Sequence, residues 1–157
     1  MIILKGDLLE TPFEIIAHQV NCMGKMNSGV AKQIREKFPW AYSDYVTALK
    51  QHDADFMLGK SQIIWQDGHS IFNIFGQYDY GYDGKQYTSY GALNSGFRNA
   101  INNYRDNDPD DKQQITIAIP YKIGCDRGGG DWSVVKKILE KIEEECNVVF
   151  VAYKLED

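Results

Sequence analysis

Short apolar runs rich in β-branched residues alternate with longer amphipathic segments along the whole 157-residue chain. The short runs have the length and composition of strands, whereas the longer segments repeat their apolar residues with the period of an α-helix. Strands that alternate with helices favour a largely parallel sheet with helices on both faces, because each helix returns the chain to the start of the next strand. We therefore expect an α/β fold.

The boundaries of these elements follow from apolar period, caps and turns. Six runs are predicted to be strands, at 2–4, 15–20, 63–65, 71–75, 115–119 and 148–151. The third and fourth of them are expected to pair around the turn Asp67-Gly68. Helices are predicted to begin behind the N-caps Ser28 and Ser89, at Trp40, and at Trp132. A polar loop with an Asp-Pro break, 105–112, precedes the fifth strand.

The chain is acidic, with a formal net charge of −5 and a sequence pI near 5.2. Because no basic run offsets that charge, neither broad nucleic-acid binding nor a role at a membrane surface is expected. The sequence shows no membrane-spanning stretch and no signal peptide, so we expect a cytoplasmic protein. The three cysteines match no zinc pattern, and we expect reduced thiols, no metal and no cofactor. The length favours one domain over residues 1–157, which we expect to be a monomer.

A glycine-rich loop between a strand and a helix carries the first functional signal. Residues 119–132 read Ile-Pro-Tyr-Lys-Ile-Gly-Cys-Asp-Arg-Gly-Gly-Gly-Asp-Trp. Glycines let backbone N–H groups turn toward a ligand, and beside a helix N-terminus such groups bind an anion without basic side chains. The loop follows the carboxyl end of a strand, where ligands bind in α/β sheets. A tight strand-to-helix connection without a ligand is the alternative.

A second loop of the same type follows the predicted strand 15–20. Residues 21–31 read Asn-Cys-Met-Gly-Lys-Met-Asn-Ser-Gly-Val-Ala, and a helix opens at Gly29. Two such loops at one sheet edge are suited to clamp a diphosphate from both sides. Neither contains the Gly-x-x-x-x-Gly-Lys-Ser/Thr of NTPases or the Gly-x-Gly-x-x-Gly of dinucleotide-binding folds. The pair therefore indicates a nucleotide diphosphate in a protein that is neither an ordinary NTPase nor an NAD-dependent dehydrogenase.

Four motifs occur in order over nearly the whole chain. They are Gly6-Asp7-Leu8-Leu9; Ala17-His18-Gln19-Val20-Asn21-Cys22 followed by Ser28-Gly29-Val30-Ala31; Asn73-Ile74-Phe75-Gly76-Gln77; and Ile123-Gly124-Cys125 through Gly130-Asp131-Trp132. Together they resemble the macro domain family, most closely its branch of terminal ADP-ribose glycohydrolases and ADP-ribose 1″-phosphate phosphatases. The resemblance implies a three-layer α/β/α domain with a central mixed, largely parallel six-stranded sheet. It also implies ADP-ribose or an ADP-ribosylated protein as the binding partner.

The resemblance gives single residues a role. Asp7, with Leu8 beside it, matches the position that accepts a hydrogen bond from the adenine amino group; a plain turn or cap aspartate is the alternative. Asn21 matches the position beside the distal ribose. Tyr153, just after the closing strand, either stacks on adenine or is an ordinary half-buried tyrosine. The two phosphate loops are matched by Ser28, Gly29 and Val30 in the first and by Ile123, Gly124, Cys125, Asp126, Arg127, Gly128 and Gly129 in the second.

Catalysis in the glycohydrolase branch depends on a mid-chain lysine and on an aspartate in the second loop. Lys85 lies nearest to the lysine position, and Asp126 stands two positions before the aspartate position. Asp126 is either a general base that activates water at the distal ribose, with Asn21 positioning the sugar, or a turn aspartate bonded to its own backbone.

The predicted function is a hydrolase that removes ADP-ribose from an acidic side chain or phosphate from ADP-ribose 1″-phosphate. A non-catalytic ADP-ribose reader is the first alternative, and an unrelated nucleotide-metabolising α/β enzyme, with little preference for ADP-ribose over ADP, is the second. Two further features are open: His18 lies near the distal ribose or is a core histidine, and the tyrosines between Gly76 and Tyr90 form a substrate lid or a packed loop.

Overall fold

The chain forms a six-stranded sheet with helices on both faces. A computed structural model describes residues 1–108, 110–111 and 113–155. Its strands are β1 (Ile2–Lys5), β2 (Ile15–Val20), β3 (Ser61–Gln66), β4 (His69–Phe75), β5 (Ile115–Pro120) and β6 (Val148–Lys154). Its α-helices are α1 (Gly29–Lys37), α2 (Pro39–Gln51), α3 (Ala54–Met57), α4 (Tyr90–Tyr104) and α5 (Trp132–Cys146), and a 3-10 turn covers Leu8–Glu10.

The strands follow the order β1-β6-β5-β2-β4-β3, and within the described chain only β3 runs antiparallel to its neighbour. β3 and β4 form a hairpin whose turn residues, Asp67 and Gly68, have φ angles of 51° and 81°. Positive φ at both central residues is the requirement of a tight hairpin turn that matches the strand twist. The predicted hairpin and the mixed, largely parallel sheet are both confirmed.

Apolar side chains fill the space on both sides of this sheet. On one face α4 and α5 cover a core that includes Phe97 and Phe150, whose ring centroids lie 5.2 Å apart. On the other face α1 and α2 cover a core that includes Ile16, Ile34 and Phe38, all fully buried. Each helix thus buries one apolar stripe against the sheet. The three predicted layers are confirmed.

Several boundaries differ from the predicted ones, each for a local reason. β6 continues to Lys154 because its last residues pair with β1, so Tyr153 lies inside the strand and not after it. α2 begins at Pro39, since proline suits the first helical position. The short helix α3 is absent from the prediction; Asp53 caps it by accepting the N–H of Phe56 at 2.8 Å. Part of the predicted loop 105–112 lies outside the described residues.

The two predicted N-cap serines behave differently. The Ser89 hydroxyl accepts the N–H of Ala92 at 3.2 Å, as expected of a cap of α4. Ser28 occupies the N-cap of α1, but its side chain accepts no N–H of that helix. The first turn of α1 therefore begins without a side-chain cap.

No helix in the described ranges combines the length and the hydropathy that crossing a membrane requires. Cys22, Cys125 and Cys146 are free cysteines in the structure.

Candidate functional site

A cleft opens between the carboxyl ends of β2 and β5. The two strands pair at only two positions, Ile15 with Ile117 and Ile16 with Ala118. The chain then leaves β2 toward α1 on one face and β5 toward α5 on the other. Ligands bind at such points in α/β sheets, because the diverging connections leave a crevice between them.

The cleft has a volume of about 230 Å³, and residues of three loops line it. We call residues 21–28, between β2 and α1, the first loop. Residues 121–131, between β5 and α5, are the second loop. Residues 77–88, between β4 and α4, are the tyrosine strap. The two loops predicted from their glycines therefore meet at one site, and the strap joins them there.

The side chain of Asn21 holds the first loop in shape. Its Oδ1 accepts the Met23 N–H at 2.9 Å, and its Nδ2 donates to the Lys25 carbonyl at 2.9 Å. The buried Tyr45 hydroxyl lies 2.8 Å from the same Oδ1, and burial raises the pKa of Tyr45 and keeps this hydroxyl protonated. The Asn21 amide has a second N–H, which these contacts leave for a ligand.

The second loop approaches the tyrosine strap so closely that two of its glycines have no room for a side chain. The Gly128 carbonyl accepts the N–H groups of Tyr87 and Thr88, at 2.7 and 2.9 Å. A Cβ on Gly129 would overlap the carbonyl group of Lys85, and the φ of Gly129 is 67°, which L side chains rarely adopt. Backbone contact between the strap and the loop therefore requires glycine here.

Gln19, near the end of β2, is hydrogen-bonded to both ends of the tyrosine strap. Its Nε2 donates to the Gln77 Oε1 and to the Thr88 hydroxyl, both at 2.8 Å. The Thr88 hydroxyl in turn donates to the Gly124 carbonyl at 2.7 Å. The strap and the second loop thus form one hydrogen-bonded unit.

The cleft is positively charged in an otherwise acidic protein. Among the described residues that line it, the cations are Lys25, Lys122 and Arg127, and the carboxylate is Asp126. A concave site lined by positive charge concentrates anions, and the uncapped start of α1 adds its positive dipole end. This arrangement suits the diphosphate that the two glycine loops predict.

Asp126 lines the cleft and is exposed. Its carboxylate accepts no hydrogen bond from the described part of the chain. Asp131, in the same loop, does bond to nearby backbone: its Oδ1 accepts the Ser133 N–H at 2.8 Å. Hydrogen bonds from Ser133 lower the pKa of Asp131. The geometry therefore gives no support to Asp126 as a turn residue bonded to its own backbone.

Lys85 does not line the cleft. Its ammonium lies 3.8 Å from the Asp83 carboxylate, and the lysine side chain is 76% exposed. The backbone N–H of Lys85 and the Tyr87 hydroxyl hold the pKa of Asp83 below its usual range. The lysine nearest to the glycohydrolase position is thus part of a surface turn of the strap.

His18 is a core histidine that also borders the cleft, and its proximity to the distal ribose stays a prediction. It is 2% exposed, and its Nε2 lies 2.6 Å from the Asn73 Oδ1. The Asn73 amide nitrogen donates to the Ala41 carbonyl, so the histidine nitrogen is the donor toward Oδ1. Desolvation lowers the pKa of His18 to about 4, against an opposing contribution from the Asn73 bond.

We expect the His18 ring to remain neutral far below pH 6.5, the ordinary histidine value. Between pH 6.5 and 4 the unfolded chain binds this proton and the folded chain does not. The free energy of unfolding therefore falls as the pH is lowered through this window, by roughly 3 kcal/mol in total. An NMR titration measures the pKa of the His18 ring, and the exposed His52 ring serves as a reference in the same spectra. A His18 ring that titrates near pH 6.5 would contradict the buried, neutral state.

Nine of the predicted ligand-binding residues line the cleft: Asn21, Ser28, Gly29, Val30, Ile123, Gly124, Asp126, Arg127 and Gly128. Five do not: Asp7, Leu8, Cys125, Gly129 and Tyr153. Leu8 belongs to the core, and burial raises the pKa of the Cys125 thiol to about 11, which makes it a poor nucleophile. No group of three or more metal-binding side chains occurs within the described residues.

Asp7 and Tyr153 do not line the cleft, but Tyr153 is in the strand next to a lining residue. Asp7 accepts the Leu9 N–H at 3.0 Å and so caps the 3-10 turn. Tyr153 is in register with Pro120, which lines the cleft, and its hydroxyl lies 2.8 Å from the Thr11 hydroxyl. Their roles toward adenine stay predictions.

The cleft also contains polar residues that sequence reasoning did not single out: Gln19, Lys25, Asn27, Gln77 and Lys122. Lys25, Asn27 and Lys122 stand inside the two predicted loops, so a count of the polar side chains in those loops would have identified them. Gln19 and Gln77 stand inside the quoted motifs, but their contact with each other depends on strand pairing.

The model of the macro domain family matches residues 17–139. The chain belongs to the macro domain family. This macro domain is 24% identical over 153 residues to a Thermosipho africanus protein named DNA ADP-ribosyl transferase-DNA ADP-ribosyl glycohydrolase fusion protein. The alignment covers 87% of this chain and 37% of the fusion protein. It is 35% identical over 66 residues to the ADP-ribose 1″-phosphate phosphatase of Meyerozyma guilliermondii, covering 39% of this chain and 38% of the relative. The chain thus spans less than two-fifths of these relatives.

Solved structures share the fold of this macro domain. The macrodomain of Mycobacterium tuberculosis DarG superposes with a TM-score of 0.74 at 25% identity, over 97% of both chains. The Thermosipho africanus DarTG in complex with ADP-ribose superposes with a TM-score of 0.74 at 19% identity, over 97% of this chain and 41% of that one. The three-layer fold expected from the resemblance is confirmed.

Proposed function

We propose that this macro domain binds ADP-ribose and hydrolyses the bond between C1″ of the distal ribose and a leaving group. The observation that supports this most directly is the convergence of both glycine loops, their cations and Asp126 on one cleft. The names of the relatives add support, since a glycohydrolase and a 1″-phosphate phosphatase both act at this end of ADP-ribose.

In the proposed complex the diphosphate lies between the start of α1 and the second loop. Backbone N–H groups of both loops contact its oxygens, and Lys25, Lys122 and Arg127 balance its charge. The adenine lies toward the end of the cleft beside Asp7 and Tyr153. The distal ribose lies toward Asn21, whose remaining N–H donates to a ribose hydroxyl.

Asp126 is the proposed general base. It accepts a proton from a water molecule as the water oxygen bonds to C1″ and the bond from C1″ to the leaving group breaks. Its exposed carboxylate is suited to this role because no hydrogen bond from the described chain occupies it. Asn21 assists by fixing the sugar, and its own position is fixed by the first loop.

The leaving group is an acidic side chain, a phosphate or a nucleotide of DNA. DNA enters because the Thermosipho relative is named for it, whereas the sequence alone indicated the first two. A DNA-linked substrate needs contacts only around the modified nucleotide, so the proposal includes no broad nucleic-acid-binding face. We further propose that the protein is a monomer and acts in the cytoplasm.

The second candidate is a reader that binds ADP-ribose without cleaving it. One observation favours it: Lys85, nearest to the catalytic lysine of the glycohydrolase branch, pairs with Asp83 outside the cleft. Both candidates therefore use the same binding site. They differ in turnover, since the hydrolase would have to act through Asp126 without the lysine.

Calorimetric titration separates an ADP-ribose site from a general nucleotide site. We expect a micromolar Kd for ADP-ribose, which corresponds to about 8 kcal/mol, and at least roughly tenfold weaker binding of ADP and AMP. The distal ribose accounts for the difference, because only ADP-ribose reaches Asn21. Failure to bind ADP-ribose at millimolar concentration would contradict the proposal.

Turnover is then measured on an ADP-ribosylated oligonucleotide, an ADP-ribosylated protein and ADP-ribose 1″-phosphate in parallel. Release of ADP-ribose from one of them identifies the leaving group. Tight binding of ADP-ribose without release from any of the three would favour the reader.

A further inference from the structure

The side chain of Tyr82, in the tyrosine strap, contacts both phosphate loops. Its hydroxyl donates toward the Ser28 Oγ of the first loop at 3.5 Å. Its ring centroid lies 4.3 Å from the Arg127 guanidinium carbon of the second loop. All three residues line the cleft. Tyr82 therefore spans the cleft from one loop to the other.

The base of the strap is fixed to the second loop. Gln77 and Thr88 form an antiparallel bridge that closes the strap at its two ends. The Gly128 carbonyl accepts two strap N–H groups, and the Thr88 hydroxyl donates to the Gly124 carbonyl. Tyr82 is thus carried on a segment that is hydrogen-bonded to the second loop and reaches over to the first.

The tip of the strap is fixed on both sides of Tyr82. The Tyr87 hydroxyl donates to the Asp83 carboxylate, at 2.9 Å from each oxygen. The same hydroxyl packs against Gly81, where a Cβ would overlap it. The Tyr80 ring contacts the Tyr82 ring with centroids 6.4 Å apart.

These contacts hold Tyr82 in place without burying it. The residue is 62% exposed, although a large aromatic side chain gains most when it is buried. Its neighbours Gly81 and Asp83 are held by Tyr87, so the exposure does not come from a loose loop. An exposed aromatic residue whose neighbours hold it over a cleft indicates a contact that a ligand completes.

We propose that Tyr82 is a ligand-binding residue that closes the cleft over the diphosphate and selects ligands that carry this group. The inference rests on the proposed function. The bond from Tyr82 to Ser28 is long and joins two neutral hydroxyls, so a phosphate oxygen between the loops is the better acceptor. Arg127, held against the ring face, donates to the same phosphate.

The test compares three variants of the full chain with the unmodified protein. Tyr82→Ala removes both contacts, and Tyr82→Phe keeps the ring beside Arg127 but loses the hydroxyl. Tyr78→Ala is the matched control, because Tyr78 is an exposed tyrosine of the same strap that does not line the cleft. Thermal unfolding of each variant checks that it folds. ADP-ribose binding is measured by calorimetry, and binding of adenosine, which lacks the diphosphate, by NMR titration.

We expect Tyr82→Ala to weaken ADP-ribose binding roughly tenfold, as the loss of a hydrogen bond to a charged group does, and to leave adenosine binding unchanged. Tyr82→Phe should lose less than Tyr82→Ala, and Tyr78→Ala should bind as the unmodified protein does. ADP-ribose binding by Tyr82→Ala within twofold of Tyr78→Ala would overturn the inference, as would an equal loss of adenosine binding. If the unmodified protein bound no ADP-ribose, the proposed function would fail first and the inference with it.

Discussion

Turnover should fall by roughly 10²- to 10⁴-fold when Asp126 is replaced by asparagine, the range that general-base catalysis contributes. Asparagine has the same shape but cannot accept a proton from water. ADP-ribose affinity should stay the same or rise slightly, because the substitution removes a negative charge from the cleft in which we propose that the diphosphate binds. Single-turnover release of ADP-ribose measures the first effect and calorimetry the second.

Lys85→Gln is the matched comparison for Asp126→Asn. Lys85 lies outside the cleft in a pair with Asp83, so its replacement should leave turnover within a few-fold of the unmodified protein. The reverse result, loss of turnover in Lys85→Gln with Asp126→Asn active, would show that the strap rearranges in the complex and that the lysine acts. If both variants kept the turnover of the unmodified protein, Asp126 would have no part in the mechanism.

Replacing Gly129 with alanine is expected to destabilise the protein by about 3 kcal/mol or more and to abolish ADP-ribose binding. The added Cβ overlaps the Lys85 carbonyl group, and the φ of 67° is unfavourable for alanine. Relief of the overlap must separate the strap from the second loop, which breaks the bonds to the Gly128 carbonyl. Urea unfolding and calorimetric titration with ADP-ribose measure the two effects.

Gly68→Ala controls for the backbone angle alone. Gly68 has a φ of 81° in the β3–β4 turn, and a Cβ there meets nothing within 4 Å. Its replacement should cost about 1–2 kcal/mol and leave ADP-ribose binding unchanged. Equal destabilisation by the two substitutions would mean that the strap yields easily and that its contact with the second loop is not tight.

Local signals in the sequence were sufficient for most of the fold. The turn Asp67-Gly68 and the cap Ser89 are contained in a few neighbouring residues, and both lie where they were predicted. The predicted end of β6 falls too early, because Tyr153 and Lys154 are strand residues through their pairing with β1, a contact between the two ends of the chain. The strand order depends on the same kind of distant pairing. The alternation of strands and helices along the chain therefore predicts a largely parallel sheet but not the order of its strands.

The candidate site was predictable to the extent that its loops are continuous in sequence. Ser28 and the glycines of the second loop were found because glycine and helix-start patterns are local. The contact of Tyr82 with Arg127 depends on how the strap packs on the second loop, and the sequence left a lid and a packed loop equally open. The structure shows that the strap packs on the second loop at its base, whereas its role as a substrate lid stays a prediction.

The closed base of the strap has a consequence for how such a chain can diversify. Gln77 and Thr88 join the two ends of the strap, so the residues between them leave the fold and return to it at neighbouring points. The exposed turn at Asp83 and Gly84 can lengthen or change while the base and both glycine loops keep their positions. A change in this turn would therefore alter the position of Tyr82 over the cleft while the sequences of both glycine loops stay the same.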